Sequence, residues 1–175
     1  ALGELLWIYQ DQSNDVELLK NKYNVKYWDS WTNKDGNLGT AYGYQIAKII
    51  KYPEGTFNQM DRILYLLKHQ PMNRRIMTNM IDMEEMIDMT LVPCAFMTLW
   101  YTALLMMVAS ATGYESGIFT HFIQNMHIYD RHVGFAELML AREPKPDGRI
   151  TLTPKANFYD FKVSDFTLEG YDPHP

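Results

Sequence analysis

The spacing of apolar residues along the chain predicts several helices. Residues 2–10 are mostly apolar, and residues 57–69 carry an apolar side chain every three or four positions, at Phe57, Met60, Ile63, Leu64 and Leu67. Thr56 and Gln59 have the spacing of a capping box at the start of this second stretch. Residues 130–142 predict a further amphipathic helix with an inward-facing apolar side, formed by Val133, Phe135, Leu138, Met139 and Leu140.

Weaker patterns predict one short helix and several strands. Ser13-Asn14-Asp15 offers N-cap side chains for a helix over 15–22, and 40–50 is either a helix or an ordered loop. Residues 83–88 predict a helical turn. The predicted strands cover residues 74–81, 149–153 and 165–171. Because helices and strands are mixed along the chain, we expect an α+β fold.

Residues 89–114 contain no charged side chain, and we call them the charge-free segment. A run of this length is a candidate membrane span on length alone. Its composition argues otherwise, because residues 95–101 are rich in strand formers and helix formers begin at Ala103. A strand that passes into a helix without a turn residue is unusual. We therefore expect missing residues between Thr102 and Ala103, and no membrane span.

Composition narrows the class of protein. The chain has 175 residues and a mass of 20.5 kDa, which suits a single domain. An apolar fraction of 47% excludes general disorder, and a net charge of -5 argues against a broadly basic nucleic-acid-binding protein. One cysteine excludes an internal disulfide framework and fits a reducing compartment. No basic region precedes an apolar run at the start, so we expect no signal peptide.

Three motifs carry candidate chemistry, each with an ordinary structural alternative. Cys94 follows a proline in an apolar setting, where it is either a nucleophile or a small buried hydrophobe. Arg74 and Arg75 suit phosphate through charge-assisted hydrogen bonds, or form a solvated surface pair. His127 and Tyr129 face one side of an extended chain and could contact a sugar hydroxyl, although a structural histidine is more common.

Aromatic and acidic residues form a second group. Trp28, Trp31 and Tyr42 could stack on a flat heterocycle, although an aromatic cluster more often belongs to the core. Glu4 lies in an apolar helix, and a buried carboxylate is a functional candidate only if it lies in a cleft. No set of histidine, cysteine and carboxylate residues has the spacing of a zinc site, so we expect no metal.

The order of these motifs resembles that of the thymidylate synthase family. GELLW at 3–7 is similar to its N-terminal helix, and YWDSWTNKDGNLGTAYGYQ at 27–45 to its W-D-x-W and L-G-x-x-Y-G segments. NRR at 73–75 resembles its phosphate-binding S-R-R, and LVPC at 91–94 its active-site P-C. The similarity extends over nearly the whole chain through three further blocks, TGYESGIF, QNMHIYDRH and YDFKVSDFTLEGYDPHP.

The resemblance implies a fold and a reaction. The fold would be α+β, with a large mixed β-sheet flanked by helices and two sheets packed back to back in a homodimer. The reaction would transfer a one-carbon unit from 5,10-methylenetetrahydrofolate to C5 of dUMP. The folate is a co-substrate that also supplies the hydride, and no metal is needed. We expect a cytoplasmic enzyme with neither a membrane nor DNA as a partner.

The resemblance also implies roles for individual residues. Cys94 matches the nucleophile, and Glu4 and Tyr42 match residues that organise proton transfers. The two arginines would reach the phosphate of the nucleotide bound by the partner subunit. The residues that match nucleotide contacts or their neighbours are Arg74, Arg75, Asn125, His127 and Tyr129. The residues that match the folate site are Trp28, Trp31 and Leu91.

The sequence departs from the family pattern in several places. Ile81-Asp82 replaces W-N, and Asn125 replaces an aspartate. A block resembling R-S-x-D-x-x-x-G-x-P-x-N, expected between Tyr101 and Ala103, is absent, so residues 1–175 form one catalytic domain that is incomplete. Either the chain is part of a longer protein or the block is truly deleted. The alternatives are a folate-dependent pyrimidine nucleotide hydroxymethylase and, for a true deletion, a non-catalytic nucleotide-binding relative.

Overall fold

The computed structural model describes residues 2–40, 42–80, 97–122 and 128–174, and only the backbone of residues 97–99. The α-helices in these ranges are α1 (Leu2–Tyr9), α2 (Val16–Tyr23), α3 (Gly43–Ala47), α4 (Gln59–His69), α5 (Met97–Thr112) and α6 (Val133–Leu140). The strands are β1 (Ile50–Tyr52), β2 (Gly55–Phe57), β3 (Arg149–Leu152) and β4 (Phe166–Glu169). Short 3-10 turns connect several of these elements.

Helix α1 lies at the centre of the core. Its residues Leu5, Leu6, Trp7 and Ile8 are almost completely buried, and α2, α3 and α5 pack against it. A helix that is apolar on all sides is stable only when it is surrounded in this way. The indole N–H of Trp7 donates to the backbone oxygen of Asp15 at 3.0 Å, so the core also holds the start of α2. The predicted helix over 2–10 is confirmed.

Side-chain caps determine where two of the helices begin. The Asp15 carboxylate accepts hydrogen bonds from the backbone N–H groups of Glu17 (2.9 Å) and Leu18, as expected for the start of α2. Helix α4 is capped by Asn58, which accepts from the Asp61 N–H at 2.8 Å. The capping box predicted at Thr56 is wrong, because Thr56 pairs with Lys51 in the β1–β2 hairpin.

The strands form two antiparallel hairpins. β1 pairs with β2, and β3 pairs with β4 in a register that places Arg149 opposite Glu169. Both strands predicted in the C-terminal part are confirmed, as is the α+β class. In the part of the chain that the structure describes, these hairpins remain separate two-stranded sheets and do not join into one large sheet.

The strand predicted over 74–81 is wrong for the residues that the structure describes. Arg74 and Arg75 lie in a turn, because the Asn73 side chain accepts the Arg75 N–H at 2.9 Å. Beyond the turn, the Gln59 side-chain amide donates to the Asn79 carbonyl and accepts from the Asn79 N–H, at 2.8 and 2.7 Å. A side chain from α4 thus pairs with backbone groups that a neighbouring strand would otherwise pair with. Ile81 and the turn predicted over 83–88 lie outside the described residues.

Helix α5 replaces the strand predicted at the start of the charge-free segment. It runs continuously through Thr102 and Ala103, so the strand prediction is wrong for residues 97–101, while residues 95 and 96 lie outside the described ranges. A helix forms its backbone hydrogen bonds within itself, whereas the backbone groups of a strand need a neighbouring strand as their partner. The α5 residues in the main core follow helical spacing, at Trp100, Ala103, Met107 and Ala111. Within the described ranges, no helix has the length and apolar character needed to cross a bilayer.

The helix predicted over 130–142 is present as α6, but its apolar side is not buried. Val133, Phe135, Leu138, Met139 and Leu140 are all exposed. The predicted inward-facing side is therefore wrong for this structure. The 3-10 turn at Asp130–His132 runs directly into α6, so its contacts with the helix come from chain continuity and leave the apolar side uncovered.

Candidate active site

Glu4 is a carboxylate inside the apolar core, with 1% of its surface exposed. It lies in the first turn of α1, and burial of a charged group is costly unless hydrogen bonds replace its water. Two neighbouring side chains supply them. The Trp28 indole N–H donates to Oε1 at 2.6 Å, and the Tyr27 hydroxyl donates to Oε2. Both carboxylate oxygens therefore have a partner.

The surroundings of Glu4 change its affinity for protons. Burial raises the pKa of Glu4 above its usual value, and the hydrogen bonds from Tyr27 and Trp28 offset part of that rise. A carboxyl group with a raised pKa gives up and takes back a proton closer to neutral pH than a solvated one. Glu4 therefore has the environment of a group that can take part in proton transfer.

Aromatic rings surround the Glu4 carboxylate. The Trp28 ring is 3% exposed and lies between Tyr27, at a centroid distance of 5.9 Å, and Tyr42, at 5.6 Å in an edge-on arrangement. Trp31 follows on the same 3-10 turn, where its backbone N–H donates to the Trp28 carbonyl at 2.9 Å. Trp31 is exposed, so its ring can contact a flat ligand. We call Glu4, Tyr27, Trp28 and Tyr42 the Glu4 cluster.

The start of α3 determines where Tyr42 lies. Tyr42 has a positive φ of 51°, an uncommon conformation for a residue with a side chain. A Cβ at the next residue, Gly43, would collide with the backbone of Ser13, so only glycine allows this close approach. The Tyr42-Gly43 pair thus holds the tyrosine ring against Trp28.

The structure brings together only some of the predicted site residues. Glu4, Trp28 and Tyr42 meet in one cluster, and Trp31 lies one turn from Trp28. Tyr129 contacts its own neighbours, with the Arg131 guanidinium 5.4 Å and the His132 ring 5.8 Å from its ring. Four predicted residues lie outside the described ranges, namely Leu91, Cys94, Asn125 and His127. In the ranges that are described, no group of three histidine, cysteine or acidic residues could hold a metal ion.

Arg75, the second residue of the exposed Arg74-Arg75 pair, lies at a cleft of about 880 Å³. Arg75 and Arg62 both line it. Arg62 is 7% exposed and places its guanidinium 3.3 Å from the Glu54 carboxylate and 4.2 Å from the Tyr52 ring centroid. Its Nη1 also donates to the Arg75 carbonyl at 3.1 Å, which fixes the turn that carries the two arginines.

Sequence reasoning missed both Arg62 and Tyr27. Arg62 lies one helical turn before the buried Leu66, so its position on the inward side of α4 could have been noticed. Nothing in the local sequence indicated that the Tyr27 hydroxyl meets Glu4, which is 23 residues away.

We expect the Glu54–Arg62 pair to make stability depend on pH. The backbone N–H of Glu54 and the Arg62 guanidinium hold the pKa of Glu54 below its usual value of 4.5. The stabilisation is therefore complete above pH 4.5 and is lost as the pH falls through the lowered pKa. Glu54→Gln should lower the melting temperature near pH 7, and its difference from the wild type should shrink in acid.

Thermal melts between pH 7 and pH 3 measure this difference. Glu137→Gln, at an exposed position on α6, is the matched control and should melt like the wild type throughout. A Glu54→Gln variant that melts at the wild-type temperature near pH 7 would show that the pair adds nothing to stability.

Comparison with known proteins identifies relatives along nearly the whole chain. The family model described as thymidylate synthase matches residues 1–103 and, separately, residues 96–175. Thymidylate synthase of Clostridium beijerinckii is 34% identical, over 99% of this chain and 74% of that protein. The Streptococcus sanguinis enzyme is 36% identical, over 99% of this chain and 72% of the relative.

A solved structure shows the same fold. Thermostable thymidylate synthase A from Bacillus subtilis superposes with a TM-score of 0.82 and 30% sequence identity, covering 97% of this chain and 72% of that one. The alignment with the Clostridium relative runs over 205 positions against 175 residues here, so at least 30 of its positions face a gap in this chain.

Proposed function

Because the chain belongs to the thymidylate synthase family, we infer that it catalyses the reductive methylation of dUMP to dTMP with 5,10-methylenetetrahydrofolate. The observation that carries this inference is similarity to named thymidylate synthases over 99% of the chain. The Glu4 cluster agrees with it, since it supplies a buried carboxyl beside the buried Trp28 ring and the exposed Tyr27 ring. The hydroxymethylase alternative is not favoured, because the relatives are named thymidylate synthase.

We propose Cys94 as the nucleophile. A pyrimidine C5 reacts poorly with electrophiles, but addition of a thiolate at C6 places the ring electrons on C5 and O4. When the folate is bound, it supplies the one-carbon unit that C5 attacks and the hydride that completes the methyl group. Release of the thiolate from C6, after a proton leaves C5, regenerates the enzyme.

We propose that Glu4 and Tyr42 manage the protons of this reaction. Glu4 has a raised pKa and two hydrogen-bond donors on its oxygens, so it can hold a water molecule or a proton at a defined position. The Tyr42 ring packs on Trp28 and belongs to the same cluster. Their proposed role is to bring a proton to the pyrimidine ring and to remove one from it.

We propose that Trp28, Trp31 and Leu91 line the folate site. Trp31 is exposed and lies on the turn that follows Trp28, so a flat pteridine ring can reach its face. The buried Trp28 fixes the position of that turn through the Glu4 hydrogen bond and its ring contacts. The residues present therefore suit a flat, partly apolar co-substrate.

Arg74 and Arg75 are proposed to bind the nucleotide phosphate of the partner subunit in a homodimer. Both are exposed, and the Asn73 and Arg62 contacts fix the turn that presents them. Guanidinium groups bind phosphate through parallel charge-assisted hydrogen bonds. The proposed contacts to the rest of the nucleotide come from His127, Tyr129 and Asn125. We also propose a cytoplasmic location, since dUMP and reduced folates are the substrates.

We propose that residues 1–175 form a single catalytic domain that lacks an internal block near Thr102 and Ala103. The two matches to the family model overlap at residues 96–103, and the aligned relative has at least 30 positions without a counterpart here. The apolar side of α6 is exposed, as expected when residues that would pack against it are missing. Intact mass spectrometry tests this proposal: 20.5 kDa means a true deletion, and a larger mass means a longer protein.

An assay of the purified protein with dUMP and 5,10-methylenetetrahydrofolate tests the function. We expect dTMP and dihydrofolate in equal amounts. Hydroxymethylated nucleotide with tetrahydrofolate would indicate the alternative enzyme. Binding of dUMP without any product would indicate a non-catalytic relative and overturn the proposed reaction.

A further inference from the structure

The two hydrogen bonds on Glu4 come from donors of different character. Trp28 is buried, and its indole N–H can only donate, so it holds Oε1 in place. Tyr27 is 59% exposed, and its hydroxyl can donate to Oε2 while it accepts a hydrogen bond from another group. The buried carboxyl therefore contacts the hydroxyl of a residue that lies mostly at the surface.

We propose that Tyr27 is a positioning residue for the methylation reaction, one that holds Glu4 Oε2 and links the buried carboxyl to the exposed side of the aromatic cluster. This inference rests on the proposed function, in which Glu4 manages proton transfers at the pyrimidine ring. The Tyr27 hydroxyl links two environments. Its acceptor, Oε2 of Glu4, lies in the core, whereas most of the Tyr27 side chain lies at the surface.

Ring packing against Trp28 supports this role for Tyr27. Its ring lies 5.9 Å from that of Trp28 and is tilted by 37°, so ring packing can retain the side chain when the hydroxyl is removed. Tyr27→Phe keeps this ring and deletes one hydrogen bond. The variant therefore tests the hydroxyl with little change to the fold.

Removal of the Tyr27 hydroxyl should raise the pKa of Glu4. The hydrogen bond from Tyr27 stabilises the ionised carboxylate and lowers the pKa of Glu4 against the larger effect of burial. Tyr42, whose ring packs on Trp28, is the other titratable side chain of the Glu4 cluster. In Tyr27→Phe, the pKa of Glu4 should rise further, and the carboxyl should stay protonated to a higher pH.

The first measurement is the pH profile of kcat/KM for dTMP formation in the wild type and in Tyr27→Phe. We expect the acid limb of the profile to move to higher pH and kcat/KM on that limb to fall about tenfold, which matches the loss of one hydrogen bond to a charged group. The melting temperature should change little. Tyr44→Phe, at an exposed tyrosine on α3, is the matched control and should keep the wild-type profile.

The second measurement does not depend on activity. Infrared difference spectra across a pH titration follow the protonated carboxyl, and Glu4→Gln identifies the Glu4 band by removing it. A band that persists to higher pH in Tyr27→Phe supports the inference, and an unchanged titration overturns it. If the wild type forms no dTMP, the proposed function is overturned. The proposed role of Tyr27 in that reaction is then overturned as well.

Discussion

Replacement of Cys94 by serine should lower the rate of dTMP formation at least about 1,000-fold, equivalent to about 4 kcal/mol of activation free energy. The reason is the protonation state of the nucleophile. A thiol ionises near neutral pH when its environment favours the thiolate, whereas a serine hydroxyl needs a strong general base to become nucleophilic. The measurement is single-turnover dTMP formation with saturating dUMP and folate.

The chain offers a clean control for this experiment. Cys94 is the single cysteine, so alkylation of the native protein with iodoacetamide reports on this residue alone. We expect bound dUMP to protect it from alkylation. Cys94→Ser should retain the wild-type melting temperature, because the two side chains differ by one atom. A variant that keeps activity within about tenfold of the wild type would end the assignment of Cys94 as the nucleophile.

Two inactive variants should restore activity when they are mixed. The first is Cys94→Ser, and the second replaces both Arg74 and Arg75 by alanine. If the arginines bind the phosphate in the partner's site, a mixed dimer has one site with an intact cysteine and intact arginines. Random exchange makes half of the dimers mixed, so the mixture should recover about a quarter of wild-type activity.

The exchange experiment needs a mixing step and a comparison. Both variants are combined at equal concentration, held long enough for subunits to exchange, and assayed beside each variant alone. A pair of surface variants, Lys34→Ala and Asp35→Ala in the exposed turn after Trp31, should show full activity before and after mixing. If the Arg74/Arg75 and Cys94 mixture stays inactive while exchange is confirmed by mass, the arginines act within their own subunit.

The site was predictable where its residues carry a local signal, and it was not predictable where it depends on distant contacts. A carboxylate in an apolar helix marked Glu4, and a cluster of aromatic residues marked Trp28 and Trp31. The Tyr27 hydroxyl, by contrast, meets Glu4 across 23 residues of sequence. Arg62 meets Glu54 through the packing of α4 against the hairpin before it.

The sequence alone determined the elements whose stabilising contacts are local. Helix α1 is predicted by its run of apolar residues. The start of α2 is predicted by Asp15, whose carboxylate caps the backbone N–H of Glu17 two residues later. The β3–β4 hairpin follows from two β-prone stretches. The family also followed from the sequence, because it depends on the order of motifs.

The tertiary structure decided everything that depends on which groups find partners far along the chain. Residues 74–80 have no strand because Gln59 pairs with the Asn79 backbone, and residues 97–101 are helical because a helix pairs its own backbone. The proton affinity of Glu4 depends on tertiary packing in the same way. Burial of Glu4 raises its affinity for protons, and burial is a property of the packed core, so only the fold can give this carboxylate a raised pKa.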